Sequence, residues 1–311
     1  MPLDSHVRRI LDMLAAASGP GVSRPNVMER REAFRKLMGL SDCSDAIGSI
    51  EDCTVPGAEG PLSMRIYTPV ASGPGPATAL IYFHGGGLVS GNLDTHDGVC
   101  RALANAAGCR VFSVDYRLAP EHRFPAAVDD ACAATAWIVR HAVELRIAPD
   151  RIAVGGDSAG ATLAAVVCQQ TRQMPGVKLA AQLLLCPIMD FAGETASRKA
   201  YAEGFLLETQ QMGRDLEQYV PAGVDAADPR ISPLRATDFR NLPPAYIHTA
   251  EFDPLHDEGR AYADGLVAAG VKVHYTCHPG MIHLFYGMTR AVPYARTAMT
   301  RIGAEIRAAL G

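Results

Sequence analysis

Beyond about residue 50, hydrophobic residues fall into short blocks separated by longer amphipathic stretches. The first block alternates polar and apolar side chains, which predicts a half-exposed edge strand. The third, fourth and fifth are nearly continuous apolar runs, typical of parallel strands covered on both faces. Together the blocks predict seven strands, at 62–68, 78–84, 109–116, 151–156, 180–186, 244–250 and 271–277.

Helical patterns separate these strands, at 94–107, 125–141, 160–172 and 255–269. Strand–helix alternation of this kind predicts an α/β fold, with a mostly parallel, doubly wound sheet, right-handed crossovers and helices on both faces. We assign residues 46–311 to this one domain.

Two segments depart from the alternation. Residues 1–45 have the pattern of two amphipathic helices, the second preceded by Ser23 and Pro25 as start signals. Residues 191–225 form a polar-to-helical insertion between two predicted strands. Neither segment is Gly/Ser-rich like a free linker. We interpret both as parts of a helical cap over the carboxyl ends of the strands, where open α/β sheets bind ligands.

Composition narrows the functional classes. Net charge is −4 over 311 residues, and no Lys/Arg-rich run occurs, which argues against nucleic acid or an anionic membrane as the main partner. No run of ~18 apolar residues predicts a membrane helix, and charges interrupt the N-terminal segment where a targeting signal would need an apolar core. The eight cysteines lack CxxC pairing, so we expect free thiols, no metal and a cytoplasmic protein. The sequence decides neither for nor against a homodimer.

The strongest chemical signal is GDSAG at 156–160, between an apolar strand and a helical run. A nucleophile on a sharp strand–turn–helix connection needs small neighbours, and Gly156 and Gly160 flank Ser158. The turn also directs the helix N-terminus at the site, so the Ala159 N–H can face a developing oxyanion. The alternative is an ordinary helix N-cap serine after a glycine turn.

The second signal is HGGG at 84–87, at the end of a predicted strand. Three consecutive glycines present backbone N–H groups without side-chain obstruction, as acyl transfer requires at the carbonyl oxygen. The alternative is a flexible turn. We expect His84 to hold the loop rather than to take part in the chemistry.

A serine nucleophile needs a base, and the base needs an orienting carboxylate, in the chain order Ser, acid, His. Asp253 follows a predicted strand and precedes a proline, and His283 lies in a glycine-led loop after the last strand. His278 is interpreted as a turn residue, and Asp257 and Glu258 as exposed charges at a helix start.

With these residues assigned, the sequence resembles the hormone-sensitive-lipase-like family of α/β-hydrolases, particularly its bacterial esterases. The resemblance rests on HGGG, DYRLAPEHRFPAAVDD (115–130), GDSAG, DPRISPL (228–234), AEFDPLHDEG (250–259) and HLF (283–285). It implies an eight-stranded sheet, an N-terminal helical cap, no metal or other cofactor, and ester hydrolysis through an acyl-enzyme. The family's oxyanion donors correspond to the backbones of Gly85, Gly86 and Ala159.

The resemblance is incomplete at Leu88, where relatives often carry Phe or Trp. A leucine there predicts a wider pocket beside the ester. Phe205 and Leu206 in the insertion are expected to help line an acyl pocket, together with Leu207 and Met212. The charged residues of 115–130 are interpreted as ion pairs that brace the glycine loop.

The sequence therefore predicts a carboxylesterase for short- to medium-chain esters of uncharged alcohols, with Ser158, Asp253 and His283 as catalytic triad. Two alternatives remain. An amidase or peptidase would use the same triad, and hydrolysis of matched esters and anilides separates the two. A small-molecule receptor on the same fold would lack turnover, and the presence of His283 weighs against it.

Overall fold

The computed structural model describes residues 1–17, 25–71, 73 and 75–311. Eight strands of this part form one sheet, with helices on both sides. The strands are β1 (Ser49–Pro56), β2 (Pro61–Thr68), β3 (Ala77–Phe83), β4 (Arg110–Val114), β5 (Ile147–Asp157), β6 (Ala181–Leu185), β7 (Ala245–Phe252) and β8 (Val273–Ile282).

The helices of the described residues follow the predicted pattern, with a further one at the C-terminus. They are α1 (Ser5–Ala17), α2 (Val27–Met38), α3 (Asp97–Ala107), α4 (Ala126–Arg140), α5 (Ala159–Thr171), α6 (Ala196–Ala200), α7 (Thr209–Tyr219), α8 (His256–Ala268) and α9 (Pro293–Leu310). In the described ranges, none of these helices combines the length and hydropathy needed to cross a bilayer.

The strand order is β1-β2-β4-β3-β5-β6-β7-β8, with β2 antiparallel to both its neighbours and the strands from β4 to β8 parallel. All seven predicted strands are confirmed, whereas the charged edge strand β1 was not predicted. The assignment of β2 to the edge was wrong. Its alternation reflects one exposed face of the sheet, because its backbone is paired on both sides.

The two faces of the sheet carry separate apolar clusters. Along β3, Ile81 and Phe83 face the cluster that contains α4, α5 and α8, while Leu80 and Tyr82 face the cluster that contains α3 and α9. This alternation with period two buries both faces of the central strands and fixes their register. The carboxyl ends of β3, β5, β7 and β8 consequently meet at one edge of the sheet.

The first two helices take different positions. Helix α1 inserts Val7 into the α3–α9 side of the core, and Asp4, the residue before the helix, donates its N–H to the carbonyl of Gly280 in β8. Helix α2 begins at a capping box, in which Asn26 and Glu29 each accept the other's backbone N–H. Of the two predicted start signals, Pro25 immediately precedes this cap, and Ser23 lies outside the described residues.

Candidate active site

The nucleophile turn joins β5 to α5. Ser158 is the one residue between them, and its backbone has φ 51°, a strained value for a residue with a side chain. A Cβ on Gly156 would lie 2.5 Å from the carbonyl oxygens of Phe83 and Gly160, so only glycine fits there. The Ser158 N–H donates to the Leu185 carbonyl at 2.8 Å, which anchors the turn to β6.

The acid and the base come from the ends of β7 and β8. The Oγ of Ser158 lies 3.0 Å from Nε2 of His283, and Nδ1 of His283 lies 2.8 Å from Oδ2 of Asp253. The other Asp253 oxygen accepts the Leu255 N–H at 2.9 Å, which orients the carboxylate. All three side chains are buried. This arrangement can take a proton from the serine hydroxyl while the carboxylate stabilises the imidazolium that forms.

The glycine loop differs from expectation by one residue. Gly86 and Gly87 border the cavity above Ser158, and no acceptor among the described residues takes their N–H groups. The Gly85 N–H instead donates to Asp157 Oδ1 at 3.0 Å. The assignment of Gly85 as an oxyanion donor was therefore wrong, because its proton is committed to a buried carboxylate. Ala159 is the first residue of α5, where the N–H has no partner within the helix.

Asp157, inside the GDSAG motif, is the centre of a buried polar network that the sequence analysis missed. Its carboxylate accepts the Tyr82 hydroxyl at 2.7 Å and the Tyr286 hydroxyl at 3.2 Å, and it lies 3.3 Å from His96 Nε2. Burial opposes ionisation of this carboxyl, but the His96 imidazole and the Tyr82 hydrogen bond outweigh burial and lower its pKa. The network holds the glycine loop against the nucleophile turn.

His84 also supports the loop. Its Nδ1–H donates to the Gly85 carbonyl at 2.8 Å, its own carbonyl accepts the Tyr116 hydroxyl at 2.6 Å, and its ring stacks on Tyr116 at 4.3 Å. Burial first, and then the neighbouring His96, lower the His84 pKa to about 3. A neutral, packed imidazole agrees with the expected structural role. The predicted ion pairs are present as well, with Arg117 contacting Asp130 at 2.7 Å.

A cavity of about 370 Å³ lies above the serine. Its floor is formed by the glycine loop, Ser158 and His283, and its remaining wall comes largely from α2 and residues 205–219, which together we call the roof. The lining residues are Pro25, Arg30, Ala33, Phe34, Leu37, Gly86, Gly87, Ser158, Ile188, Phe191, Leu206, Leu207, Glu208, Gln211, Met212, Asp215, His283 and Leu284.

The predicted pocket residues divide. Leu206 lines the cavity, together with Leu207 and Met212. Phe205 does not, because its ring stacks on Phe252 at 5.8 Å. Leu88 is also absent from the cavity wall. Its φ of 64° directs the side chain into the apolar core, where it is 1 % exposed. The expectation that Leu88 widens the pocket is therefore wrong.

Two further interpretations need correction. His278 belongs to β8 rather than to a turn, and it is buried between His248 at 3.2 Å and the Tyr294 hydroxyl at 3.0 Å. Glu258 is buried rather than exposed, because Arg198 from the inserted segment pairs with it at 2.7 Å. Burial raises the Glu258 pKa to about 7 in spite of that partner.

Within the described ranges, the group of side chains that could hold a metal ion is Cys186, Asp253 and His283, whose ligand atoms lie within 4.8 Å of one another. Asp253 and His283 already bond each other at 2.8 Å. Burial raises the pKa of the Cys186 thiol far above its ordinary value, so the thiolate that binds metals does not form at neutral pH. This group does not fit a metal site.

Comparison with known proteins agrees with this geometry. A family model described as the alpha/beta hydrolase fold matches residues 80–287. The chain belongs to the α/β-hydrolase family. The expected resemblance to hormone-sensitive-lipase-like esterases is confirmed at the level of the family.

Two similar proteins are ester hydrolases by name. The chain is 44 % identical to carboxylic ester hydrolase LipN of Mycobacterium tuberculosis over 77 % of its own length, and the match spans 65 % of LipN. It is 42 % identical to carboxylesterase NlhH of the same species, covering 99 % of this chain and 96 % of NlhH. Among solved structures, LAE6, an α/β-hydrolase enzyme from the metagenome of Lake Arreo, Spain, is 42 % identical with a TM-score of 0.94, covering 98 % of both chains.

Proposed function

We propose that the protein is a carboxylesterase that hydrolyses short- to medium-chain acyl esters. The observation that carries this proposal is the hydrogen-bonded line from Asp253 through His283 to Ser158 directly beneath a largely apolar cavity. The names of the related ester hydrolases support the same reaction class.

In the first half of the reaction, Ser158 attacks the ester carbonyl while His283 Nε2 takes the hydroxyl proton. Asp253 holds the imidazole in the tautomer with its proton on Nδ1 and stabilises the cation. The protonated His283 then gives its proton to the departing alcohol, leaving an acyl group on Ser158. In the second half, His283 takes a proton from water as the water attacks the acyl-enzyme. His283 then returns this proton to the Ser158 oxygen, and the carboxylic acid leaves.

The negative charge that develops on the carbonyl oxygen needs preset donors. We assign this role to the backbone N–H groups of Gly86, Gly87 and Ala159, which border the nucleophile and have no acceptor in the described part of the chain. Loss of one such donor typically costs about 10²–10³ in kcat.

The roof is proposed as the substrate cap. Helix α2 and the segment 205–219 supply most of the cavity wall, which supports a cap made from both of the segments predicted for it. Of the described residues before 46, Pro25 and α2 contribute to that wall and helix α1 does not. A cavity of this size suits acyl groups of short to medium length. A cytoplasmic location stays a prediction from the sequence, which leaves a homodimer open.

The decisive experiment replaces the nucleophile. Ser158→Ala should lower kcat/KM on nitrophenyl acetate by at least about 10³-fold, because the remaining groups give only residual catalysis. The thermal transition should change little. A fluorophosphonate should label the unchanged protein at Ser158 and fail to label the variant.

Ser44→Ala, at an exposed serine that does not line the cavity, is the matched control and should keep full activity and labelling. Full activity in the Ser158 variant, or labelling at another serine, would contradict the proposal. Faster hydrolysis of a matched anilide than of the ester would indicate an amidase instead.

A further inference from the structure

The roof contains an ion pair that faces the cavity. Arg30 of α2 and Asp215 of α7 both line it, and Nη2 of Arg30 lies 3.1 Å from Oδ2 of Asp215. Their side chains are 18 % and 7 % exposed, so water screens this pair only weakly. The pair therefore forms a polar end in a pocket whose other roof residues are mostly apolar.

Asp215 is in direct contact with the glycine loop. A Cβ added to Gly87 would overlap the Asp215 carboxylate, which places this carboxylate beside a proposed oxyanion donor. Its second oxygen accepts from Gln211 Nε2 at 2.8 Å. The negative charge of Asp215 beside Gly87 would oppose the charge that develops on the carbonyl oxygen. The positive charge of Arg30 offsets that of Asp215. The position is thus within reach of a substrate whose carbonyl is bound at Gly86 and Gly87.

Arg30 has unused hydrogen-bonding capacity. Its Nε is buried, and no atom of the described residues accepts from it. The guanidinium also lies 5.6 Å from the Phe34 ring centroid, a neighbour that offers no oxygen or nitrogen acceptor. Because Nε itself has almost no exposed surface, a ligand oxygen can reach Arg30 only through the guanidinium end of its 18 % exposed side chain, where a hydrogen bond gains more than at a fully exposed arginine.

Charge decides what kind of acceptor fits. Glu208 at the same cavity adds a second carboxylate to that of Asp215, against the single cation of Arg30. An anionic substrate group would face this excess of negative charge. A hydrocarbon chain would displace water from the ion pair without replacing its hydrogen bonds. An uncharged oxygen, as in an ether, a hydroxyl or a second ester carbonyl, avoids the repulsion by the carboxylates and still accepts a hydrogen bond.

We propose that Arg30 and Asp215 determine specificity by selecting esters that carry an uncharged oxygen group near the scissile carbonyl over hydrocarbon esters of the same length. This inference rests on the proposed esterase function and narrows its substrate class. The two residues bind substrate and take no part in proton transfer.

The test uses ester pairs equal in heavy atoms. On the acyl side, nitrophenyl methoxyacetate is compared with nitrophenyl butanoate; on the alcohol side, 2-methoxyethyl acetate is compared with butyl acetate. The variant is the double substitution Arg30→Met, Asp215→Leu, which removes both charges at once and leaves no lone buried ion. In at least one pair, the preference for the ether ester, as a ratio of kcat/KM values, should fall about fivefold to tenfold, the size of one hydrogen bond. Taking the variant's ratio relative to the unchanged protein cancels the intrinsic reactivity of each ester.

Arg35→Met is the matched control, because Arg35 lies on the same helix in an exposed ion pair with Glu32 and does not line the cavity. Its ether preference should equal that of the unchanged protein. The inference would be overturned if the double variant still hydrolysed butanoate and kept the ether preference of the unchanged protein in both the acyl pair and the alcohol pair. The esterase function would then stand. An unchanged protein that hydrolyses none of the four esters would instead overturn the proposed function.

A second variant gives a gain that misfolding cannot imitate. Asp215→Asn keeps the shape of the side chain and leaves Arg30 without its anion. The nitrophenyl half-ester of succinate, which carries a free carboxylate, should then be hydrolysed at least fivefold better relative to butanoate than by the unchanged protein. No gain would contradict the assignment of Arg30 and Asp215 to the substrate pocket.

Discussion

The floor and the roof of the cavity are built in opposite ways. The floor, made of the glycine loop 84–87 and the nucleophile turn 156–160, is largely buried, and the carboxylate of Asp157 holds it by accepting the Gly85 N–H and the hydroxyls of Tyr82 and Tyr286. A Cβ at Gly85 would overlap that carboxylate. The roof is partly exposed, and a Cβ at Gly213 in α7 would meet no atom within 4 Å. Its two halves are joined by side chains such as Arg30 and Asp215.

This difference separates chemistry from selectivity. Oxyanion donors act only if they are held in place before the charge develops, so the floor leaves its backbone no freedom. The roof needs only to exclude water and match the substrate, which side chains on two exposed helices can do. Substitutions of the groups that hold the floor in place should therefore affect stability and rate together, unlike removal of the nucleophile's hydroxyl, whereas those in the roof should change selectivity with small effects on stability.

The largest expected effect on stability comes from Asp157. Asp157→Ala leaves the hydroxyls of Tyr82 and Tyr286 and the Gly85 N–H without their acceptor. Unpaired buried donors of this kind should lower the free energy of unfolding by about 3 kcal/mol. The released glycine loop should lower kcat/KM by roughly 100-fold, the cost of a small displacement of a catalytic group. Urea denaturation and kinetics on nitrophenyl acetate measure the two effects.

Asp150→Ala is the control, because Asp150 lies in the same strand and is exposed. Its free energy of unfolding should stay within about 0.5 kcal/mol of the unchanged protein. A stable Asp157 variant with full activity would show that the floor does not depend on this carboxylate, and the comparison with the roof would fail.

Acid should weaken the floor through His84. The unfolded chain binds a proton at this imidazole below its ordinary pKa of 6.5, whereas burial lowers the folded pKa to about 3. Between these values the unfolded state carries more protons, so the stabilisation is complete above pH 6.5 and is lost progressively toward pH 3. The free energy of unfolding is measured between pH 6.5 and pH 4.5, because ordinary carboxylates titrate below this range.

Glu258 contributes with the opposite sign in that window, because its folded pKa of about 7 lies above its ordinary value. The quantity compared is therefore the slope of the free energy of unfolding against pH in the unchanged protein and in His84→Gln. The free energy of the variant should fall less steeply as the pH is lowered. His122→Gln, at an exposed histidine, should keep the original slope. Equal slopes for all three proteins would rule out a buried neutral imidazole at His84.

The same contrast explains how far the sequence could be interpreted. Ser158, Asp253 and His283 were located because each follows a strand in a short motif, and parallel strands bring such ends together. The oxyanion donors that we propose lie one residue further along the chain than the sequence predicted, because the Gly85 N–H is bonded to Asp157. The prediction that Leu88 borders the pocket was wrong because the residue type leucine gives no sign of a positive φ.

Most of the other features that the sequence did not predict are pairs of side chains far apart in the chain. Arg30 and Asp215 are 185 residues apart in sequence and meet only after both roof segments fold over the sheet. Glu258 has the appearance of an exposed charge in the first turn of α8, and its burial depends on Arg198 from the insertion. No local pattern contains these pairs, so the polar end of the pocket could not be predicted.

The smallest expected effect tests whether the roof unfolds together with the floor. Gly213 lies inside α7, is exposed, and has open space around its Cα. Gly213→Ala should stabilise the helix by about 0.5–1 kcal/mol, because alanine loses less backbone entropy. If roof and floor unfold as one unit, this gain should raise Tm by about 1–2 °C. If the roof opens by itself, hydrogen exchange should slow within α7 while Tm stays constant. Slower exchange confined to α7 would extend the comparison from packing to dynamics, and a lower Tm would mean that the methyl group meets a neighbour at this position.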